Sequence, residues 1–304
     1  MNPHMMAQIV GGAGFIAAID QSGGSTPNAL AALGLPANAY ADEAEMFALM
    51  DNVRSWILRS SAFDGRKILG AILFESTMNA RLDAEPVPQH LWRKGIVPFV
   101  KVDKGLAGER EGVRLMNDNP HLRDVLTHAS SLGVFGTKMR SLINEPSVPG
   151  VRALVEQQFE IANHILDHDL VPIIEPEIAL TSPARADCDR ILLGELTRAL
   201  DCQAHGRRVI LKLSLPVEDE LFAPLVAHPN CARVLALSGG LSQEDACRAL
   251  ARNHGMIASF SRALLQDLRA QMDYAEFDRI LAQAIDRIYR ASTMKAPSAS
   301  HGKQ

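Results

Sequence analysis

Four cysteines in 304 residues, Cys188, Cys202, Cys231 and Cys247, are too scattered for a disulfide framework, and no two share the CxxC spacing of a metal or redox site. They read as buried or free thiols of a protein kept in a reducing compartment, so a cytoplasmic location is expected. Charge of one sign is also lacking. Lys and Arg number 31, Asp and Glu 35, and the net charge is -4. A chain built to coat nucleic acid or an anionic membrane would carry a strong basic surplus, so neither partner is expected, and any positive site must be local. No apolar run is long enough to span a bilayer; Ile68 to Phe74 is among the longest. The N-terminal stretch MNPHMMAQIVGGAG has neither a basic start nor a long apolar segment, so a secretory leader is not expected. No internal repeat or low-complexity tract appears.

What the chain does have is apolar content, at 47%, enough to build a sizeable core. Short runs rich in Val, Ile, Leu and Phe recur at Gly14–Asp20, Lys67–Phe74, Ile96–Asp103, Val134–Arg140, Leu170–Glu177, Arg208–Leu215, Arg233–Ser238 and Met256–Arg262. Near-continuous apolar runs of this length are the mark of parallel strands buried on both faces. Between them lie segments of helical period, at Val151–His168, Asp187–Ala204, Glu244–Ala251 and Ala275–Tyr289. Eight strand-helix alternations without a linker predict a single (β/α)8 TIM barrel over 1–290. Periodicity fades from Ala291, so 291–304 is expected to be a flexible tail.

A barrel of this kind places its chemistry at the C-terminal ends of its strands, on alternate residues that face inward. Polar residues stand there. Asp20 ends the first run and is followed by QSGGS. Lys101-Val-Asp103, Lys138-Met-Arg140 and Glu175-Pro-Glu177 end the third, fourth and fifth, each a charged pair at i, i+2. Lys212 interrupts VILKLSL in the sixth. Ser238-Gly239-Gly240 follows the seventh, and Ser259-Phe-Ser261-Arg262 ends the eighth. Any one pair is as well explained by a solvated salt bridge at the rim. A lysine in mid-run is a structural ion-pair partner about as often as not, because charged residues are almost never buried alone. The whole set is better explained by a site.

A lysine buried beside other cations loses its charge more readily than a free one and becomes an amine nucleophile able to form a Schiff base with a ketone. Lys138 and Arg140 would supply the neighbouring charge. Asp20, Glu175 and Glu177 would move the protons that imine chemistry needs. Gly23-Gly24 and Gly239-Gly240, with Ser22, Ser25, Ser238 and Arg262, offer amide and cationic donors to an anion, and barrels commonly bind phosphate after strands seven and eight. The residues therefore describe an imine-forming lyase for a phosphorylated carbonyl compound.

Eight segments, GFIAAIDQSGGST, KILGAILFE, GIVPFVKVDKGL, FGTKMRS, VPIIEPE, LKLSLP, ALSGG and ASFSRAL, follow one another along the chain. In that order they resemble a class I fructose-bisphosphate aldolase of the shorter bacterial type, over nearly the whole length. The resemblance implies reversible cleavage of fructose 1,6-bisphosphate to dihydroxyacetone phosphate and glyceraldehyde 3-phosphate, a reaction of glycolysis and gluconeogenesis, without metal or other cofactor. It matches Lys212 to the Schiff-base lysine and Glu175 to the glutamate that shuttles protons around the carbinolamine. Asp20 matches the aspartate that acts on the C3–C4 bond, Lys138 the lysine beside the imine, and Glu177 a second supporting carboxylate. Ser238, Gly239 and Arg262 match the pocket for the C1 phosphate, while Ser22, Ser25, Lys101 and Arg140 match residues near the other phosphate. Two departures stand out. Thr26-Pro-Asn28-Ala replaces a basic stretch found in animal members, and none of the three tyrosines, Tyr40, Tyr274 and Tyr289, ends the chain as theirs does. Members are often homo-oligomers, though no stretch here reads as an interface. Glu75, after the second run, has no assigned role.

Two other motifs compete. VGGAGFIAAID at 10–20 has the glycines of a dinucleotide-binding fingerprint, which requires a strand before them and a helix after. His164 and His168, at i, i+4, have a zinc-binding spacing, though without a third ligand nearby they read as partly exposed helix residues.

Overall fold

The computed structural model describes residues 1–21 and 26–297. Its core is a ring of eight parallel strands: β1 (Phe15–Ile19), β2 (Ile68–Leu73), β3 (Val97–Lys101), β4 (Gly136–Ile143), β5 (Val171–Ile178), β6 (Val209–Ser214), β7 (Cys231–Leu237) and β8 (Met256–Ala258). Each pairs in parallel with the next, from β1–β2 through β7–β8. The ring closes where the Ala18 N–H donates to the Phe260 carbonyl at 3.4 Å. The TIM barrel expected from the alternating runs is the fold observed.

The continuous apolar runs follow from burial on two sides. Inward residues, among them Ile16, Val97, Phe99, Ile173, Ile210, Leu235 and Ile257, pack on one another in the lumen. Outward ones, such as Met139, Ile174, Leu211, Leu213 and Val234, pack against the surrounding helices. Phe99 spans the lumen because its neighbours on two flanking strands are glycines. A Cβ on Gly136 would lie 2.9 Å from the Phe99 ring and 2.2 Å from the Val171 carbonyl oxygen, and one on Gly70 would lie 3.0 Å from the same ring.

Helix α1 (Pro3–Gly11) closes the N-terminal end of the lumen. Met5 and Ile9 join the inner core, Gln8 donates to the carbonyls of Leu69 and Gly95, and Arg233 donates to that of Val10. This arrangement disposes of the dinucleotide fingerprint. Its glycines follow a helix and precede a strand, the reverse of the required order.

The longer outer helices are α2 (Glu43–Arg59), α3 (Val87–Arg93), α4 (Leu122–Ser131), α5 (Val148–Leu166), α6 (Arg185–Cys202), α7 (Gln243–Ala251) and α8 (Tyr274–Thr293). Side chains of Asp42, Ser147, Ser242 and Asp273 accept the first free amides of α2, α5, α7 and α8. Helix α8 runs past Ala291, where the tail was expected to begin. Beyond it Lys295 donates to the carbonyls of Leu250, Met256 and Ala291, which holds the chain against the barrel; residues 298–304 lie outside those described. Among the described residues no helix is long and apolar enough to cross a membrane, and all four cysteines are unpaired.

Candidate active site

The period of two along each strand puts a charged layer directly above the apolar lumen. Asp20 follows Ala18, Lys101 follows Phe99, Lys138 follows Gly136, Glu175 follows Ile173, and Lys212 follows Ile210. The lower member of each pair is buried in the barrel; the upper one opens into a cavity of about 530 Å3 at the C-terminal end.

Four of these side chains form one buried network. Lys212 Nζ lies 2.9 Å from Glu175 Oε1, Lys138 Nζ lies 2.6 Å from Glu175 Oε2, and Lys138 Nζ lies 2.9 Å from Asp20 Oδ2. Lys212, Glu175 and Lys138 are 3%, 4% and 4% exposed, so the ions are out of bulk water yet paired with one another. Burial pushes the Asp20 carboxyl up, but the Lys138, Lys212 and Lys101 ammoniums outweigh it and hold it at about 2. Burial raises Glu175 in the same way, and Lys138 and Lys212 bring it below the ordinary range. Lys138 is pushed down by burial and carried well above the lysine range by Asp20 and Glu175. At neutral pH the network thus holds two carboxylates around a permanently charged Lys138. Gln158 of α5, fully buried, supports it from behind by donating to the Ser141 hydroxyl and the Glu175 carbonyl.

Arg140 and Glu177 sit two residues further out on β4 and β5 and bind each other, Nε to Oε2 at 2.5 Å. Glu177 therefore forms an ion pair with Arg140 and with neither Lys138 nor Lys212; both line the cavity mouth. Burial lowers the Arg140 pKa, and Glu177 and Glu175 more than reverse it. Lys101 is held by one residue twice, through the Asp103 carboxylate at 2.7 Å and the Asp103 carbonyl at 3.0 Å.

Across the barrel, β7 and β8 end in a second cluster. Ser238 is buried, and Gly239 and Gly240 take φ values of +60° and +111°, left-handed backbone that favours glycine. Arg262 covers this turn. A Cβ on Gly240 would sit 3.5 Å from both terminal nitrogens of its guanidinium. Arg262 was expected at the end of strand eight, but β8 stops at Ala258, and Arg262 opens a short helix, Arg262–Leu265. The cavity thus has cations at two opposite sides, Lys101 and Arg140 on one and Arg262 on the other, with Lys212 between. Ser22 and Ser25 lie outside the described residues.

Several lining residues escaped the sequence reading. Arg114 comes from a short strand, Val113–Arg114, that runs antiparallel to the outer end of β4 and donates to the carbonyls of Leu106 and Ala107. Its one signal is the length of polar chain between β3 and α4, longer than a plain loop needs. Gln21 lines the cavity beside Asp20. Glu75 does not, and pairs instead with Lys104 at 2.8 Å. His164 is exposed and His168 half-buried, with His168 Nδ1 on the His164 carbonyl. Among the described residues no three His, Cys, Asp or Glu side chains are placed to hold a metal ion.

Comparisons with known proteins place the chain in a family. Residues 4–189 match the model of the family described as fructose-bisphosphate aldolase class-I. A class 1 fructose-bisphosphate aldolase of Synechocystis sp. is 49% identical over 280 residues, covering 92% of this chain and 93% of that one. Among solved structures, a fructose-bisphosphate aldolase of Plasmodium falciparum superposes with a TM-score of 0.80 at 20% identity, over 97% of this chain and 95% of that one. One of Slackia heliotrinireducens superposes with a TM-score of 0.55 at 11% identity, over 98% and 92%. These last two likenesses concern the fold.

Proposed function

The chain belongs to the class I fructose-bisphosphate aldolase family, and we propose that it cleaves fructose 1,6-bisphosphate through a Schiff base on Lys212. The reaction is reversible, yields dihydroxyacetone phosphate and glyceraldehyde 3-phosphate, and serves glycolysis and gluconeogenesis. What carries the mechanistic reading is the buried chain Lys212–Glu175–Lys138–Asp20 at the mouth of the barrel.

Glu175, at 2.9 Å, is within reach to take a proton from Lys212, and as a carboxylate it is ready to accept one. The freed amine attacks the ketone carbon. Glu175 returns the proton to the hydroxyl of the resulting carbinolamine, water leaves, and a protonated imine remains. Asp20, held ionised, takes the proton of the C4 hydroxyl as the C3–C4 bond breaks, and the bond's electron pair passes into the imine to give an enamine. Protonation of the enamine and hydrolysis of the imine release the second product. Lys138 remains charged throughout and keeps the two carboxylates apart in role while neutralising both. Ser238, Gly239 and Arg262 bind the C1 phosphate; Lys101 and Arg140 meet the other. Glu177 acts through Arg140, which it orients. The chemistry calls for no metal. Unpaired cysteines and the absence of a membrane-spanning helix among the described residues suit a cytoplasmic enzyme acting on a dissolved phosphorylated sugar.

Borohydride trapping with dihydroxyacetone phosphate, read by peptide mass spectrometry, tests this directly, with a parallel activity assay in EDTA. Label on Lys212, its loss in Lys212→Met and activity that survives EDTA are expected. Activity lost to the chelator without label would overturn the imine mechanism.

A further inference from the structure

The eight strand junctions are not equal. Seven carry a parallel ladder; between β1 and β8 the described residues share a single long hydrogen bond, Ala18 to Phe260 at 3.4 Å. This weakest seam lies between the groups that must cooperate in the reaction proposed above: Asp20 ends the β1 side, and Arg262 follows on the β8 side.

Just past the two strand ends, the seam is stapled. The Gln21 side-chain amide donates to the Ser261 hydroxyl at 2.7 Å, so the neighbour of Asp20 is tied to the neighbour of Arg262. From the other direction, Arg54 of α2 donates through Nη2 to the Gln21 carbonyl. Arg54 is 1% exposed, its Nη1 donates to Asp51 on its own helix at 2.7 Å, and its guanidinium lies 5.5 Å from the centre of the Phe74 ring.

Packing does not account for Arg54. A buried guanidinium is costly to desolvate, and an apolar side chain of similar volume in a well-packed site is often neutral or stabilising by comparison. What the arginine supplies, and a methionine would not, is a rigid charged donor on the backbone next to Asp20. Asp20 is also among the charges that act on the guanidinium.

We propose that Arg54 and Gln21 are positioning residues: together with Ser261 they clamp the end of β1 to the end of β8 and so fix Asp20 relative to the substrate held by Arg262. The clamp rests on the imine reading. It acts on bond cleavage, where Asp20 works, and not on imine formation at Lys212. A misplacement of about 1 Å from a change away from the reacting atoms can cost on the order of a hundredfold in rate.

The test separates these steps. The purified full chain and its Arg54→Met, Arg54→Lys, Gln21→Leu, Ser261→Ala and Gln21→Leu/Ser261→Ala variants are assayed for fructose 1,6-bisphosphate cleavage and for the rate of borohydride trapping with dihydroxyacetone phosphate. Arg54→Met is expected to lower kcat for cleavage by about 10- to 100-fold, with KM and the trapping rate on Lys212 near wild type, and Arg54→Lys to recover part of the loss. Gln21→Leu and Ser261→Ala are each expected to lower kcat, and the double variant to do no worse than the poorer single one, as two ends of one bond should. Trapping and cleavage that fall in parallel, an unchanged kcat, or additive losses in the cycle would each overturn the clamp. If Arg54→Met does not fold, the Gln21–Ser261 cycle, which removes a single hydrogen bond, decides. Failure of the wild type to trap on Lys212 is a different outcome and overturns the imine reading beneath it.

Discussion

Lys138→Met is the most informative single perturbation of the charged layer. Lys138 is the one cation that bonds both carboxylates, Glu175 at 2.6 Å and Asp20 at 2.9 Å, and all three are buried. Methionine fills a similar volume without charge, so Glu175 is left with Lys212 and Asp20 with Lys212 and Lys101. Breaking a buried pair by removing one partner costs about 3–5 kcal/mol. A second route gives a smaller but consistent figure. Asp20 sits at about 2 against an ordinary 3.8, a net of burial against Lys138, Lys212 and Lys101 that at about 1.36 kcal/mol per unit corresponds to about 2 kcal/mol for that one carboxylate. Glu175 is shifted in the same direction and adds to it. A loss of about 3–5 kcal/mol lies within the total stability of most domains, about 5–15 kcal/mol, so the variant should still fold.

The sign of the pH dependence distinguishes this cause from lost packing. In the wild type Asp20 has a depressed folded pKa, so its contribution is complete above the unfolded value of 3.8 and disappears only as the pH falls toward about 2. The wild type should therefore show no change from this group between pH 8 and pH 5. In Lys138→Met burial, the largest influence on Asp20, meets weaker opposition, so the folded pKa rises. A carboxyl whose folded pKa lies above its unfolded value destabilises at high pH, and the penalty shrinks as it takes up a proton. The stability gap between variant and wild type should thus be widest near pH 8 and close toward pH 5. Urea unfolding followed by the fluorescence of Trp56 and Trp92, the two tryptophans, reads both quantities. Adding Asp20→Asn to Lys138→Met should recover part of the loss. A deficit below about 1 kcal/mol at pH 7, under the cost of breaking a buried pair, or an equal deficit at pH 5 and pH 8, would refute the view that Lys138 neutralises a buried acidic pair.

Two further outcomes follow from the geometry. Arg262→Ala removes the guanidinium above the Gly239-Gly240 turn; since a hydrogen bond to a charged group contributes about 1.5–3 kcal/mol, KM should rise by about 10- to 100-fold with a smaller effect on kcat, and an unchanged KM in steady-state kinetics would end its assignment to phosphate. Gly136→Ala sets a methyl group 2.2 Å from the Val171 carbonyl oxygen and 2.9 Å from the Phe99 ring, so urea unfolding should show a loss of about 1–3 kcal/mol from overpacking; wild-type stability would mean that both the β5 backbone and the ring have room to move.

How far the sequence could be read depended on whether a residue's meaning is set by its own strand or by a distant one. The strands were legible because burial on both faces leaves an unbroken apolar run, and the period of two then carried Lys138, Glu175 and Lys212 to one layer without any knowledge of the three-dimensional packing. Lys212 was the clearest case, a charge in mid-run with no local partner. The same logic failed one step further out. Arg140 and Glu177 share the inward parity of Lys138 and Glu175, so pattern alone placed all four around the imine; the register of β4 against β5 even sets Arg140 opposite Glu175, and only the side-chain contacts show Arg140 reaching outward to Glu177 while Lys138 takes Glu175. Boundaries failed for a related reason. Ser259 and Phe260 have strand composition, but β8 ends at Ala258, which turns Arg262 from a strand residue into the first residue of a helix over the glycine turn. Arg54 left no trace at all. On a helix whose other face is polar, an arginine reads as a solvated charge, and nothing within several positions of it announces that its guanidinium crosses 33 residues of sequence to the carbonyl next to Asp20. Residues that do chemistry stand out against an apolar background, whereas residues that hold them in place resemble an ordinary surface until the fold brings their partners to them.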